Sequence, residues 1–143
     1  MNSTLLTLKT SIIVEAPVAE VWDALTNPEM VKKYFFGSQM ITTWKEGESI
    51  RFTGEWEGQT YEDKGTVLSF KPAHYLAYSY WSSMGGTPDL PENYAQIEYY
   101  VEPLENGTHV SVTQDSIKDE TAQYHSENLW QLVLGEMKKL LEQ

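Results

Sequence analysis

Residues 125–141, His-Ser-Glu-Asn-Leu-Trp-Gln-Leu-Val-Leu-Gly-Glu-Met-Lys-Lys-Leu-Leu, are where the hydrophobic period of this chain changes. Ser126, Trp130, Val133, Met137, Leu140 and Leu141 recur at three- and four-residue intervals, and Leu129 and Leu134 widen the stripe. The last 25 residues are therefore predicted to form one long amphipathic helix. Asp119 or Ser116 is placed to cap its start.

Working back from that helix, the chain reads almost entirely as strands. Asn106-Gly107 is a hairpin signal between a strand over 94–102 and one over 108–115. In the first of these, Ala95, Ile97, Tyr99 and Val101 share a face. Leu76, Tyr78 and Tyr80 share a face of a strand over 75–82, and residues 83–93 form a loop by composition. Ile50, Phe52, Gly54 and Trp56 alternate with Arg51, Thr53 and Glu55, and Glu57-Gly58 turns the chain into a strand over 59–70, where Val67, Leu68 and Phe70 supply apolar positions. At the other end, Leu6, Leu8, Ile12 and Val14 alternate as in a half-buried strand. A helix over 17–26 follows, with Pro17 at an early helical position and Val18, Val21, Trp22 and Leu25 on one face. Asn27-Pro28 interrupts it, and a second short helix runs from Pro28 to Tyr34.

Strand, two short helices, a run of strands and one long helix make an α+β fold. Both stripes are buried most simply by a curved antiparallel sheet of about six to seven strands wrapped around the C-terminal helix. At 143 residues this is predicted to be a single domain over 1–143, with a cavity between helix and sheet.

Composition narrows the partners. The net charge is −11, and residues 72–117 contain six Asp or Glu and no Lys or Arg. Phosphate backbones and anionic bilayers are bound through clustered basic residues, so neither nucleic acid nor a membrane surface is expected as a partner. No apolar run approaches the roughly 18 residues of a membrane span. There is no cysteine, hence no disulfide, thiolate nucleophile or zinc–sulfur site, and Met1–Thr10 lacks the pattern of a signal peptide. The expected location is cytoplasmic.

Four stretches carry a family resemblance. Ala16-Pro17-Val18-Ala19-Glu20-Val21-Trp22-Asp23-Ala24-Leu25-Thr26-Asn27-Pro28-Glu29 resembles the opening helix signature of the activator-of-heat-shock-protein-ATPase homologues, a branch of the START-like (SRPBCC) helix-grip superfamily. Gly65 to Leu76 resembles the family's central hairpin, Glu102 to Thr108 its last turn, and His125 to Leu141 its terminal helix. Together they cover nearly the whole chain in the family's order. Departures occur at Tyr34-Phe35, where relatives often carry Trp-Phe, at Leu129, where they often carry Gly, and at Gln114, where they often carry His. These suggest a pocket shaped differently from those of relatives.

No catalytic or metal constellation emerges, and no cofactor is implied. His74, His109 and His125 are dispersed, His-Glu-x-x-His and Gly-x-Ser-x-Gly are absent, and Ser82-Ser83-Met84-Gly85-Gly86 lacks the Lys and following helix of a phosphate loop. That glycine-rich stretch reads as an ordinary connection or a rim loop at one mouth of the grip. His109 is expected to point to solvent and His125 to lie on the surface or at a cap.

The 18 aromatic residues are the informative set. Phe52, Trp56, Tyr78, Tyr80 and Tyr99 fall on strand faces able to line the concave side, while Trp130, Leu134 and Met137 come down from the helix. Such residues either fill a core or line a cavity for a largely apolar ligand with a few polar groups. Glu62, Asp63 or Glu98 would supply a polar anchor if it faced inward.

Three functions follow. The superfamily resemblance implies a binding module for a small hydrophobic or aromatic ligand, and the acidic 72–117 stretch makes neutral or cationic-headed compounds the first to screen. A second reading is a protein partner, as for a cochaperone. The third is a cyclase- or hydrolase-type enzyme using Tyr and Glu in the same cavity.

Overall fold

The computed structural model describes residues 5–83 and 86–142, apart from the side chain of Trp56. The chain runs β1 (Leu6–Val14), α1 (Val18–Thr26), α2 (Pro28–Tyr34), β2 (Gln39–Thr42), β3 (Ser49–Trp56), β4 (Gln59–Lys71), β5 (Tyr75–Tyr80), a 3-10 turn at Pro91–Asn93, β6 (Ala95–Leu104), β7 (Gly107–Ile117) and α3 (Glu120–Leu141). The strands form one antiparallel sheet in the order β1-β7-β6-β5-β4-β3-β2. Strands β2 to β7 thus meander, and β1 joins beyond β7. The pair α1–α2 carries the chain from one edge of the sheet to the other.

Local chemistry places the breaks. Asn27 ends α1 and caps α2, its side chain accepting from the Glu29 amide at 3.0 Å, and Pro28 needs no amide partner in the first turn. Pro17 stands at the N-cap of α1, one position before the helix expected to include it. Glu57 and Gly58, with φ of 51° and 81°, close a two-residue turn between β3 and β4. Asp119 caps α3 by accepting from the Ala122 amide at 2.8 Å, whereas Ser116 lies within β7.

Helix α3 lies along β1. Gln123 reaches the Thr7 carbonyl at 3.1 Å, Gln131 the Thr10 hydroxyl, and Lys138 the Ile13 carbonyl at 2.9 Å. Fifteen helical residues rise about 22 Å and six strand residues about 20 Å, so the two elements stay in step along this seam. The buried face of α3 is Trp130, Val133, Leu134 and Met137.

Four sequence expectations need correction. Leu129 does not widen the helix stripe but is 54% exposed. Leu68 is 44% exposed because alternation from Asp63 puts Val67 in the core and Leu68 outside; the β4–β5 register shift between Val67 and Ser69 then returns Phe70 to the inner side. Strand β2 was not expected; four residues are too few to show a period. The β6–β7 hairpin turns at Glu105-Asn106, one residue early, and Gly107 serves another purpose: a Cβ there would stand 2.3 Å from the Val14 carbonyl oxygen. With those adjustments the α+β helix grip is the observed architecture.

Candidate functional site

The side of the sheet facing α3 is lined by aromatic rings. In an antiparallel ladder, residues directly opposite one another point to the same face. Phe52 pairs with Asp63 across β3 and β4, Tyr78 with Ile97 across β5 and β6, and Tyr99 with Val112 across β6 and β7. Alternation adds Tyr80 on β5 and Gln114 on β7 to this inner face.

Five rings close a circuit. Centroid separations are 6.0 Å for Phe35 and Phe52, 5.7 Å for Phe52 and Tyr78, 6.5 Å for Tyr78 and Tyr99, 5.8 Å for Tyr99 and Trp130, and 6.1 Å for Trp130 and Phe35. Tyr80 joins at Phe52, 6.0 Å away. Four members come from the sheet and α3. Phe35 alone comes from a turn, at the C-cap of α2, where Phe36 and Gly37 follow with φ of 55° and 73°. That turn is held by Ser38, whose hydroxyl meets that of Tyr61 at 2.5 Å. Gly54 permits this, because a Cβ there would fall 2.6 Å from the Tyr61 hydroxyl oxygen.

Polar groups at the circuit are few. Trp130 Nε1 donates to Gln114 Oε1 at 2.8 Å. Asp63 is 8% exposed; its Oδ2 accepts from the Tyr80 hydroxyl and its Oδ1 from the Ser83 amide at 3.2 Å. Burial raises the ionisation of Tyr34, Tyr78, Tyr80 and Tyr99 above the ordinary tyrosine range, and at Tyr80 the charge of Asp63 adds to it. These hydroxyls are therefore neutral donors at physiological pH, suited to hydrogen bonding rather than proton abstraction.

The expected site residues are thus placed as follows. Phe52, Tyr78, Tyr80, Tyr99 and Trp130 are brought together. Leu134 and Met137 are buried one and two turns further along the same face of α3. The side chain of Trp56 lies outside the described residues, as do Met84 and Gly85 of the glycine-rich stretch. Of the three carboxylates, Asp63 faces inward. Glu62 is exposed and pairs with Arg51 at 3.1 Å, and Glu98 sits on the outer face, accepting from Tyr75 at 2.5 Å. His74 and His125 are exposed and His109 is half-buried. Among the described residues no group of His, Cys, Asp and Glu could hold a metal ion.

Sequence reasoning missed Phe35. It belongs to no periodic run, and only the path from α2 to β2 carries it under α3. The inward facing of Asp63 did have a signal: counting back from the two-residue turn at Glu57-Gly58 sets Asp63 opposite Phe52.

Two surface depressions lie away from the circuit. One of about 500 Å³ on the outer face of β4 and β5 is lined by Lys64, Gly65, Thr66, Ser79, Asp89, Pro91 and Tyr94. Another of about 350 Å³ lies among Ala19, Glu20, Asp23, Met30 and Leu141. No helix among the described residues is long and apolar enough to cross a membrane.

Comparison with known proteins agrees with this fold. A protein from Cytophaga hutchinsonii, solved in solution, is 43% identical over 99% of this chain and 97% of its own, with a TM-score of 0.86. A crystal structure of a protein from Chromobacterium violaceum shares the fold at 21% identity, covering 96% of this chain and 97% of its own, with a TM-score of 0.79. DynU16, a protein of the dynemicin biosynthetic locus, matches 95% of this chain with 47% of its own at 22% identity and a TM-score of 0.78. No curated protein matches the chain. The family described as "Activator of Hsp90 ATPase homolog 1-like protein" matches residues 15–142, and the chain belongs to it.

Proposed function

We propose that this protein binds a small hydrophobic or aromatic molecule between the sheet and α3, in the place that Phe35 fills here. The observation that carries this reading is the origin of Phe35. The other four rings of the circuit sit on a rigid sheet and a long helix, whereas Phe35 hangs from a turn containing a non-glycine residue at positive φ. Swinging that turn outward exposes Phe52, Tyr78, Tyr99 and Trp130 as walls, with Tyr80 at their edge and Leu134 and Met137 deeper along α3. The walls offer aromatic faces and the few polar groups that fix a ligand's orientation. A fold neighbour encoded in a biosynthetic locus is in keeping with a small-molecule role.

The test is a panel of apolar and aromatic compounds added to isotope-labelled protein. Binding at the proposed place shifts the resonances of Phe35, Phe52, Tyr99 and Trp130 together. A panel that leaves all four unmoved defeats the reading. Native mass spectrometry of protein from its own host would show a retained ligand directly.

A second reading, a protein partner, is favoured by one observation. Tyr124, Leu129 and Leu132 stand 65%, 54% and 49% exposed on α3, away from the sheet. Replacing all three with Ser would abolish capture of such a partner while leaving small-molecule binding intact.

A further inference from the structure

We propose that the ligand carries a positive charge, and that Asp63 is its counter-ion: an amine or quaternary ammonium on an aromatic or apolar body. This inference rests on the reading that the ring circuit opens to bind a molecule. Asp63 is a buried carboxylate that accepts from the Tyr80 hydroxyl and the Ser83 amide, both of them neutral. No ion pair among the described residues includes it. A buried charge left to neutral donors is costly, and a cation brought beside it relieves that cost.

The cations nearest to Asp63 on β3 and β4 are paired elsewhere. Lys64, next in sequence, points to the opposite face of β4, where it pairs with Asp89 at 2.6 Å, and Arg51 pairs with Glu62 at 3.1 Å on that same outer face. None of the ten Lys and Arg residues is buried. The walls themselves favour a cation. Phe52 stands directly opposite Asp63, Tyr80 touches both, and ring faces attract positive charge through their quadrupoles. The field works in the same direction: net charge is −11, and the stretch that supplies Tyr78, Tyr80 and Tyr99 contains no Lys or Arg. Tyr80 holds the place of the cation, since its hydroxyl stays protonated and yields Oδ2 when a stronger donor arrives.

Three probes separate charge from shape: tryptamine, tryptophol and indoleacetate carry an ammonium, a hydroxyl and a carboxylate on one ring system. Titrated into the full chain and followed at Phe52, Tyr80 and Trp130, tryptamine should bind about tenfold or more tightly than tryptophol, with indoleacetate weakest. Asp63→Asn should bring tryptamine to about the affinity of tryptophol in the same variant. Tyr80→Phe, which keeps the ring and removes the competing donor, should instead widen the preference for tryptamine, and it serves if Asp63→Asn does not fold. Equal binding of tryptamine and tryptophol, or a preference unmoved by either variant, overturns the cationic ligand while the chamber stands as a binding site. So does a neutral apolar compound that shifts these residues where tryptamine does not. If no compound of any charge shifts them, both this inference and the chamber fall.

Discussion

Trp130 Nε1 on α3 donates to Gln114 Oε1 on β7 at 2.8 Å, a direct side-chain tie between the long helix and the sheet's inner face. Trp130 is 8% exposed, so its indole N–H has no easy recourse to water. Gln114→Ala should therefore cost about 1–3 kcal/mol, the price of leaving a buried donor unsatisfied. Urea denaturation measures this. An unchanged midpoint would show that the bond contributes nothing to holding α3.

Phe35→Ala should open the ring circuit. Because Phe35 is only half-buried, the stability loss should be about 2 kcal/mol, below that of a fully buried Phe. The variant should enhance the fluorescence of the neutral dye Nile red well beyond the unmodified chain. A variant that is destabilised but dye-silent would mean the space collapses, and that Phe35 is packing alone.

Alkaline pH should unfold the protein steeply. Tyr34, Tyr78, Tyr80 and Tyr99 all ionise above the ordinary range because burial disfavours the phenolate. In the unfolded chain they ionise near pH 10, so above that value the unfolded state binds fewer protons than the folded one and stability falls as pH rises; below it these groups give no pH dependence. Each of the four removes about 1.4 kcal/mol per pH unit over that window. Tyrosinate absorbance should appear together with loss of far-ultraviolet circular dichroism. Smooth ionisation of all tyrosines in a still-folded protein would contradict the burial described.

Gly65→Ala should disrupt the sheet. A Cβ at Gly65 would stand 1.6 Å from the Ser79 carbonyl oxygen, a backbone atom that cannot swing aside. β4 and β5 would have to part where the Thr66 amide bonds the Ser79 hydroxyl at 2.9 Å. The expected loss is about 3 kcal/mol or more. A thermal midpoint within a degree or two of the parent would refute that closeness.

The elements themselves were legible because their patterns are local. Alternation at Leu76, Tyr78 and Tyr80 and three-four spacing at Trp130, Val133 and Met137 are set by strand and helix geometry, whatever surrounds them. The two-residue turn at Glu57-Gly58 even holds the register that turns Asp63 inward. The bulge at Leu68, the short β2 and the close approach at Gly107 lack such a pattern, since each depends on a neighbouring strand distant in the chain.

Order, period and capping chemistry along the chain were thus sufficient for a helix grip with an aromatic inner face. Whether those aromatics meet, and which side of the sheet is covered, depended on contacts between segments that no short-range pattern encodes. Phe35 reaches Trp130, 95 positions further along the chain, only because α1 and α2 carry the chain over the sheet. Asp63 is buried and Glu62 exposed, though adjacent, because a pleated strand has two sides and the fold covers one of them.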